Sequence, residues 1–249
     1  MNATFDFTGR AVFVAGGTSG INLGIARAFA RAGARLGVGS RSRDKVDAAV
    51  AALGDGGRLA DVEGVAEGAL AEAGPIDTLV SGAAGNFPAL AKDLTPNGFK
   101  AVVDIDLLGT FNVMKAAYPH MRRPGGSLIN VSAPQAAQPM PMQAHVCAAK
   151  AGVDMVTRCL AIEWGPEGLR VNGVIPGPIE GTEGMARLAP TDAARAAIAK
   201  GVPLRRLGSP DDVARVCLFL ASDAAAYVSG AIIPADGGWL QAGIRIGGA

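Results

Sequence analysis

Aromatic residues are scarce in this chain of 249 residues: they make up 5%, and only two of them are tyrosines. Any chemistry that needs a phenol must therefore use Tyr118 or Tyr227. Charge is sparse as well. Charged residues amount to 18%, with a formal net charge of +1, which gives neither the basic footprint of a nucleic-acid binder nor a polybasic membrane surface. Three cysteines, Cys147, Cys159 and Cys217, are an odd number without metal-ligand spacing. They read as free thiols in a reducing compartment, and no metal site is expected. No run of about 18 apolar residues is present, so no membrane span is expected. The opening MNATFDFTGR lacks a basic start followed by an apolar run, and the closing RIGGA is no peroxisomal address. A cytoplasmic protein without a signal peptide is the expectation.

What the chain has in quantity is small and apolar residues. Hydrophobic residues make up 49%, and there are 35 glycines with no Gly-X-Y period. That composition supplies a full core, tight loops and closely packed helices, and the length suits one large α/β domain or two small ones. Strand-like runs fall at 10–15, 34–39, 57–60, 76–81, 126–132, 169–174 and 231–235. Helical patterns lie between them near 21–33, 42–53, 62–73, 96–121, 143–165 and 209–222. Runs apolar on both sides and separated by helices predict a parallel sheet covered on both faces. Right-handed crossovers make that sheet doubly wound, with about seven strands in a single domain over 1–249. One segment breaks the rhythm. Between Pro176 and Pro210 prolines bracket a short Ala-rich helix. It reads either as a lid at about 180–203 or as a surface insertion.

After the first strand comes AGGTSGINLGIARAF, with Gly16, Gly20 and Gly24 between a strand and an Ala-rich helix. A pyrophosphate needs bare backbone to approach and a helix N-terminus to meet, and this is the place in an alternating chain where it finds both. A cofactor with two free ribose hydroxyls calls for an acidic residue about 20 residues further on. That place holds Gly39, Ser40 and Arg41. A hydroxyl and a guanidinium suit a 2′-phosphate, which favours NADPH; the alternative for Arg41 is a solvated side chain at a helix start. Asp61 and Val62, read as following the third strand, are placed to meet the adenine.

From about residue 8 to residue 240 the chain resembles a short-chain dehydrogenase/reductase. The resemblance is carried by the glycine loop, Lys150 in CAAKAGVDM, RVNGVIPGPI at 170–179 and SGAIIPADGG at 229–238. It implies a Rossmann fold, a homotetramer and dinucleotide contacts at Gly16, Thr18, Ser19, Gly20, Ile21, Gly24, Ser40, Arg41, Asp61, Val62, Ala83, Ala84, Lys150, Pro176, Gly177 and Ile179. The family commonly uses a Ser, a Tyr four residues before a Lys, and an Asn. Here Ala133, Val146 and Asp106 occupy the Ser, Tyr and Asn places, and only Lys150 remains. Asn22-Leu23 read as an insertion between the second and third glycines. The divergent enoyl reductases, which have a longer turn, need a Tyr seven residues before the Lys, where Gln143 stands.

One branch is similar in these same places, the 2,4-dienoyl-CoA reductases, above all the peroxisomal type. The matching stretches include AAGNFPA (83–89), VVDIDLLGTFNV (102–113), HVCAAKAGVDMVTR (145–158), PGPIEGTEGMARL (176–188) and YVSGAIIPADGGWL (227–240). The resemblance implies that Asp106 and Lys150 polarise a water, which protonates the acyl chain after hydride arrives from NADPH. His145 either orients the thioester or relays a proton, or is a core histidine. Asn86 and Phe87 follow the fourth strand, at the sheet edge where ligands bind, and are expected to line the acyl slot. The substrate expected is an unsaturated acyl-CoA. Two other readings stay open: a reductase of a different carbonyl or enone, and a catalytically silent dinucleotide-binding protein.

Overall fold

The computed structural model describes residues 4–40, 42–53, 58–63, 74–82 and 84–242, with the backbone alone for 58–63. Seven strands form one sheet in the order β3-β2-β1-β4-β5-β6-β7. They are β1 (Ala11–Ala15), β2 (Arg35–Ser40), β3 (Arg58–Glu63), β4 (Thr78–Ser81), β5 (Ser127–Val131), β6 (Arg170–Pro176) and β7 (Ile232–Ala235). Every neighbouring pair is parallel. Parallel strands need helical crossovers, and the helices cover both faces. Residue alternation shows it directly. Val12 and Val14 of β1 point into a core with Ile25, Phe29, Val213 and Leu220, whereas Phe13 and Ala15 point into a second core with Met114, Leu128 and Leu160.

The first core is built by α1 (Gly20–Arg31), α2 (Arg43–Leu53) and the helix before β7, α8 (Pro210–Ala221), with α1 and α8 meeting directly. Gly24 is where they touch. A Cβ there would lie 2.3 Å from the Cβ of Pro210, so the two helices approach as closely as they do only because position 24 has no side chain. The helix α8 starts sharply: Pro210 follows the N-cap Ser209, and Ser209 and Asp212 complete a capping box. The second core is built by α4 (Gly109–Ala117) and the long α5 (Ala144–Trp164). On the first face Cys217 is fully buried, which pushes its thiol up to about 12; all three cysteines are free, as the spacing predicts.

Several expected elements are revised. The third strand runs to Glu63, so Asp61 and Val62 lie within β3, paired with Val38 and Gly39, rather than after it, and the first two positions of the helix expected over 62–73 are strand. Its remainder, 64–73, lies outside the described residues. The helix expected over 96–121 is interrupted: α3 (Pro96–Val102) passes through a π-helical turn at Val103–Leu108 before α4 begins. The segment after β6 holds two helices rather than one, α6 (Glu183–Leu188) and α7 (Asp192–Gly201), parted at Ala189-Pro190. Thr182 and Thr191 cap them, and the base of the excursion is clipped shut by a bridge between Ile179 and Gly208.

The strand order reverses between β1 and β4, so the loops leaving their C-terminal ends diverge and open a crevice. Ile21 and Asn22, at the start of α1, form one wall, and Gly82, Ala84, Gly85 and Asn86 another. Both lead into a cleft of about 520 Å³.

Candidate active site

The loop after β1 is shaped for close approach. Gly16 has φ +76 and Gly20 φ +54, a region glycine enters without cost. The Gly16 N–H donates to the Gly39 carbonyl at 2.8 Å, which ties the loop to the end of β2. The sequence reading passed over Gly17, where a Cβ would lie 2.9 Å from the Val14 carbonyl oxygen. Ser19 is the N-cap of α1, yet its side chain accepts no hydrogen bond, and the first turn carries no acid. Thr95, Thr182, Thr191 and Ser209 do cap their helices. The orphan N–H groups of α1 therefore face outward with no acceptor of their own, which fits an anion arriving from outside. A dinucleotide diphosphate fits here, with Thr18, Ser19, Gly20 and Ile21 beside it.

Of the other positions expected to meet a dinucleotide, Ser40 ends β2; Arg41 and Ala83 lie outside the described residues. Ala84, Pro176, Gly177 and Ile179 line the cleft. Gly177 and Gly24 owe their identity to packing. A Cβ on Gly177 would lie 2.6 Å from the Asp236 Cα, and Gly24 faces Pro210 rather than the loop. Asn22 and Leu23, read as an insertion in the glycine loop, lie inside α1. They continue α1 without a bulge, and the Leu23 N–H already donates to the Ser19 carbonyl at 3.1 Å.

Asp106 and Lys150 come together although 44 residues separate them. Asp106 lies in the π-helical turn, and Lys150 lies in α5. A π turn inserts one extra residue per turn and redirects the side chains it carries. The turn is steadied by the Thr110 hydroxyl, which donates to the Asp106 carbonyl at 2.6 Å. The Asp106 carboxylate is 1% exposed; its Oδ1 accepts the Gly85 N–H at 2.6 Å, and its Oδ2 stands 3.5 Å from Lys150 Nζ. The ammonium also donates to the Val131 carbonyl at 3.3 Å. An ammonium has three donors, so capacity remains for a ligand in the cleft that both residues line.

The arrangement offers no phenol. Among the described residues lining the cleft there is no tyrosine, and Val146 stands one turn before Lys150. The Tyr118 hydroxyl donates to Glu167 on the outside, and Tyr227 is fully exposed. A pair of groups that sequence reading did not single out lies close by. Ser132 lines the cleft, and Asp154 follows Lys150 by one turn of α5. Burial pushes the Asp154 carboxyl above its ordinary range, opposed by the Ser132 hydroxyl and the charges of Arg158 and Lys150. A serine one place before the expected position is a weak signal that the sequence did contain.

The expected substrate residues divide. Asn86 lines the cleft. Phe87 instead packs on His145, ring centroids 4.7 Å apart, with Phe99 on the imidazole at 6.4 Å. His145 is fully buried, neither nitrogen has a hydrogen-bond partner, and it is not among the cleft-lining residues. It stands behind the wall that Asp106 and Lys150 form. The remaining walls come from the α6–α7 excursion through Met185, Leu188 and Ile198, and from Trp239 after β7. Arg187 donates to the Asn86 carbonyl at 3.2 Å and so joins α6 to the opposite wall.

Residues 15–240 match the family model described as enoyl-(acyl carrier protein) reductase. A peroxisomal 2,4-dienoyl-CoA reductase [(3E)-enoyl-CoA-producing] of Pongo abelii is 42% identical over 245 residues, covering 93% of this chain and 84% of that protein. A probable 2,4-dienoyl-CoA reductase [(2E)-enoyl-CoA-producing] of Bacillus subtilis is 45% identical over 172 residues, 68% of each chain. Among solved structures, a putative NAD(P) dependent gluconate 5-dehydrogenase from Beutenbergia cavernae with bound NADP superposes with a TM-score of 0.89 at 30% identity, over 96% of this chain and 100% of that one. A buried Asp–Lys pair at a parallel-sheet crevice, under a glycine loop open to a diphosphate, sits in a chain that belongs to the short-chain dehydrogenase/reductase family of NAD(P)-binding oxidoreductases.

Proposed function

We propose that the protein is an NADPH-dependent reductase of 2,4-dienoyl-CoA thioesters. The observation that carries this reading is the buried Asp106–Lys150 pair in a cleft whose described lining has no phenol. A carbonyl reductase of the usual kind needs an acid poised over a carbonyl oxygen. A dienoyl thioester needs something different: stabilisation of an extended enolate, then a proton delivered to carbon.

When bound, the reduced nicotinamide supplies the hydride. Lys150 Nζ would hold the nicotinamide ribose and, with Asp106 Oδ2, a water. The Gly85 N–H fixes Asp106 so that Oδ2 is the oxygen left for that water. The water's proton passes to a carbon of the enolate, the Lys150 ammonium stabilises the hydroxide that is left, and a proton from bulk solvent restores the water. Which carbon is nearer decides the product: protonation at the α carbon leaves a 3-enoyl thioester, and at the γ carbon a 2-enoyl one. Asn86 and the apolar side chains Met185, Leu188 and Ile198 border the acyl chain and exclude water.

Residues 180–203 act as the lid. Arg187 is its latch, since it also pairs with Glu183 and spans to Asn86. Of the two arginines at the base of the lid, Arg205 donates to the Lys200 carbonyl and keeps further donors, whereas both Arg206 amino groups are held by Asp212. The NADPH preference rests on Arg41 and Ser40 in the sequence. A homotetramer fits the exposed apolar residues Leu108, Phe111, Met155 and Ile162 on the outer helices of the second face. Three free cysteines fit a reducing cytoplasm.

The test is direct. Purified protein is mixed with NADPH and 2,4-hexadienoyl-CoA, and nicotinamide absorbance is followed. Loss of absorbance with formation of an enoyl-CoA supports the reading. Binding of NADPH with turnover on ketones but none on dienoyl-CoA sinks it in favour of a carbonyl reductase, and binding without turnover on either marks a silent protein.

A further inference from the structure

The first turn of α1 carries a polar residue in an unusual position. Asn22 is 9% exposed. Its Nδ2 donates to the Gly82 carbonyl at 2.8 Å, across the gap between α1 and the end of β4. A Cβ built on Gly82 would lie 2.3 Å from Asn22 Oδ1 and 2.4 Å from Nδ2. The carboxamide thus fills the space that a side chain at position 82, just past β4, would take.

Volume explains why Gly82 accompanies Asn22, but it does not explain the amide. A leucine fills nearly the same shape. The Nδ2 bond accounts for one polar atom and also fixes the amide's orientation, because only the NH₂ end can donate to a carbonyl. The Oδ1 atom remains: it is buried and has no hydrogen-bond donor. A buried acceptor without a donor is costly, and native proteins rarely keep one that nothing uses. Asn22 and Gly82 both line the cleft, together with Ile21 and Lys150. The missing donor therefore belongs to what the cleft receives.

A nicotinamide dinucleotide narrows the choice. Its phosphate oxygens only accept, so Oδ1 faces away from them. Its donors are ribose hydroxyls and the amino groups at its two extremities. Asn22 sits one residue past Ile21, at the helix N-terminus where the diphosphate in the middle of the molecule is held. The donors that flank a diphosphate are ribose hydroxyls. We propose that Asn22 is a cofactor-contacting residue, anchored through Nδ2 on Gly82, whose Oδ1 accepts a hydrogen bond from a ribose hydroxyl next to the diphosphate. The proposal rests on the dinucleotide reading of the cleft and is independent of which substrate is reduced.

The experiment compares the parent with Asn22→Leu, Asn22→Gly and the double variant Asn22→Gly/Gly82→Ala. Dissociation constants for NADPH and NADH are read from nicotinamide fluorescence, and melting temperatures are read without cofactor. Loss of one hydrogen bond, leaving a ribose hydroxyl facing an apolar side chain, is expected to raise both dissociation constants about tenfold in Asn22→Leu. The double variant refills the gap from the strand side. It is expected to melt above Asn22→Gly yet to keep the tenfold weaker binding, and it carries the test if the leucine variant does not fold. Affinity within twofold of the parent in either folded variant overturns the proposal, since the amide would then be a space-filler only. A parent that binds neither dinucleotide overturns this proposal and the proposed function together. A parent that binds NADPH but is inert toward dienoyl-CoA overturns only the latter.

Discussion

At Asp106 two hydrogen-bonding demands are separated between two oxygens: Oδ1 is held by the Gly85 N–H, and Oδ2 faces the Lys150 ammonium at 3.5 Å. Asp106→Asn keeps the shape and removes the charge. It is expected to bind NADPH within about twofold of the parent and to lose about 10²–10⁴-fold in kcat, as measured by absorbance. Lys150→Ala is expected to lose rate and also affinity, because one ammonium serves both ribose and water. The double variant should be far less impaired than the product of the single effects, which a double-mutant cycle reads. Arg41→Asp is expected to reverse the preference for NADPH over NADH, with the lost charge-assisted contact worth about 1.5–3 kcal/mol; equal affinities for both cofactors in the parent would refute the role of Arg41. Away from the cleft, Asp77 accepts hydrogen bonds from Arg10, the Ala11 N–H and Arg122. Burial acts to raise its pKa, but the bonds from Arg122, Ala11 and Arg10 outweigh it and hold the carboxyl below its ordinary 3.8. A carboxylate with a depressed native pKa stabilises the fold above its unfolded value and ceases to do so as pH falls through the native one. Asp77→Asn should therefore cost about 1–3 kcal/mol at neutral pH, and denaturant melts should show the deficit shrinking below pH 3.8.

Between elements, the tightest constraint is the meeting of α1 and α8. Gly24→Ala places a Cβ 2.3 Å from Pro210, at a helix start fixed by a capping box, so the neighbour cannot give way cheaply. The expected cost is about 1–3 kcal/mol, seen as a drop of about 2–4 °C in Tm for each kcal/mol. An unchanged Tm would mean that the α1–α8 contact is looser than its geometry. The excursion after β6 behaves as an element of its own, clipped at Ile179–Gly208 and latched through Arg187 to Asn86. Its amides should exchange faster without ligand than those of β5 or β6, and should slow when NADPH and an acyl-CoA are both bound. Exchange in 180–203 that ligand leaves unchanged would remove the lid. The π turn at Val103–Leu108 had no sequence signal, since VDIDLL reads equally well as α-helix; what favours it is the fixing of Asp106 by Gly85 and Thr110, partners 21 residues before it and 4 residues after it in the chain.

For the whole molecule, the apolar residues Met155 and Ile162 on α5, with Leu108 and Phe111 on the elements beside it, are exposed on the second face. Pairing of that face about a two-fold axis supplies one of the two contacts that the proposed tetramer needs; light scattering at micromolar concentration is expected to give a tetramer mass, and a monomer mass would refute it. The alternation of strands and helices, and hence the parallel doubly covered sheet, is legible in the order of residues alone, because burial on both faces writes continuous apolar runs at each strand. So are the place of the glycine loop after β1 and that of Lys150 on a long helix. Which titratable groups meet is a matter of packing. Asp106 joined Lys150 because a π turn aimed it there. His145, five residues from Lys150 in the chain, went behind the wall under Phe87 and Phe99, since five residues along a helix turn a side chain well away from the one it follows. Asn22 met Gly82 in the same way, its carboxamide filling the space beside a glycine 60 residues further along the chain. Periodicity is a local property and survives in the sequence; contacts between distant segments depend on how the crossovers stack the elements, and no local pattern records them.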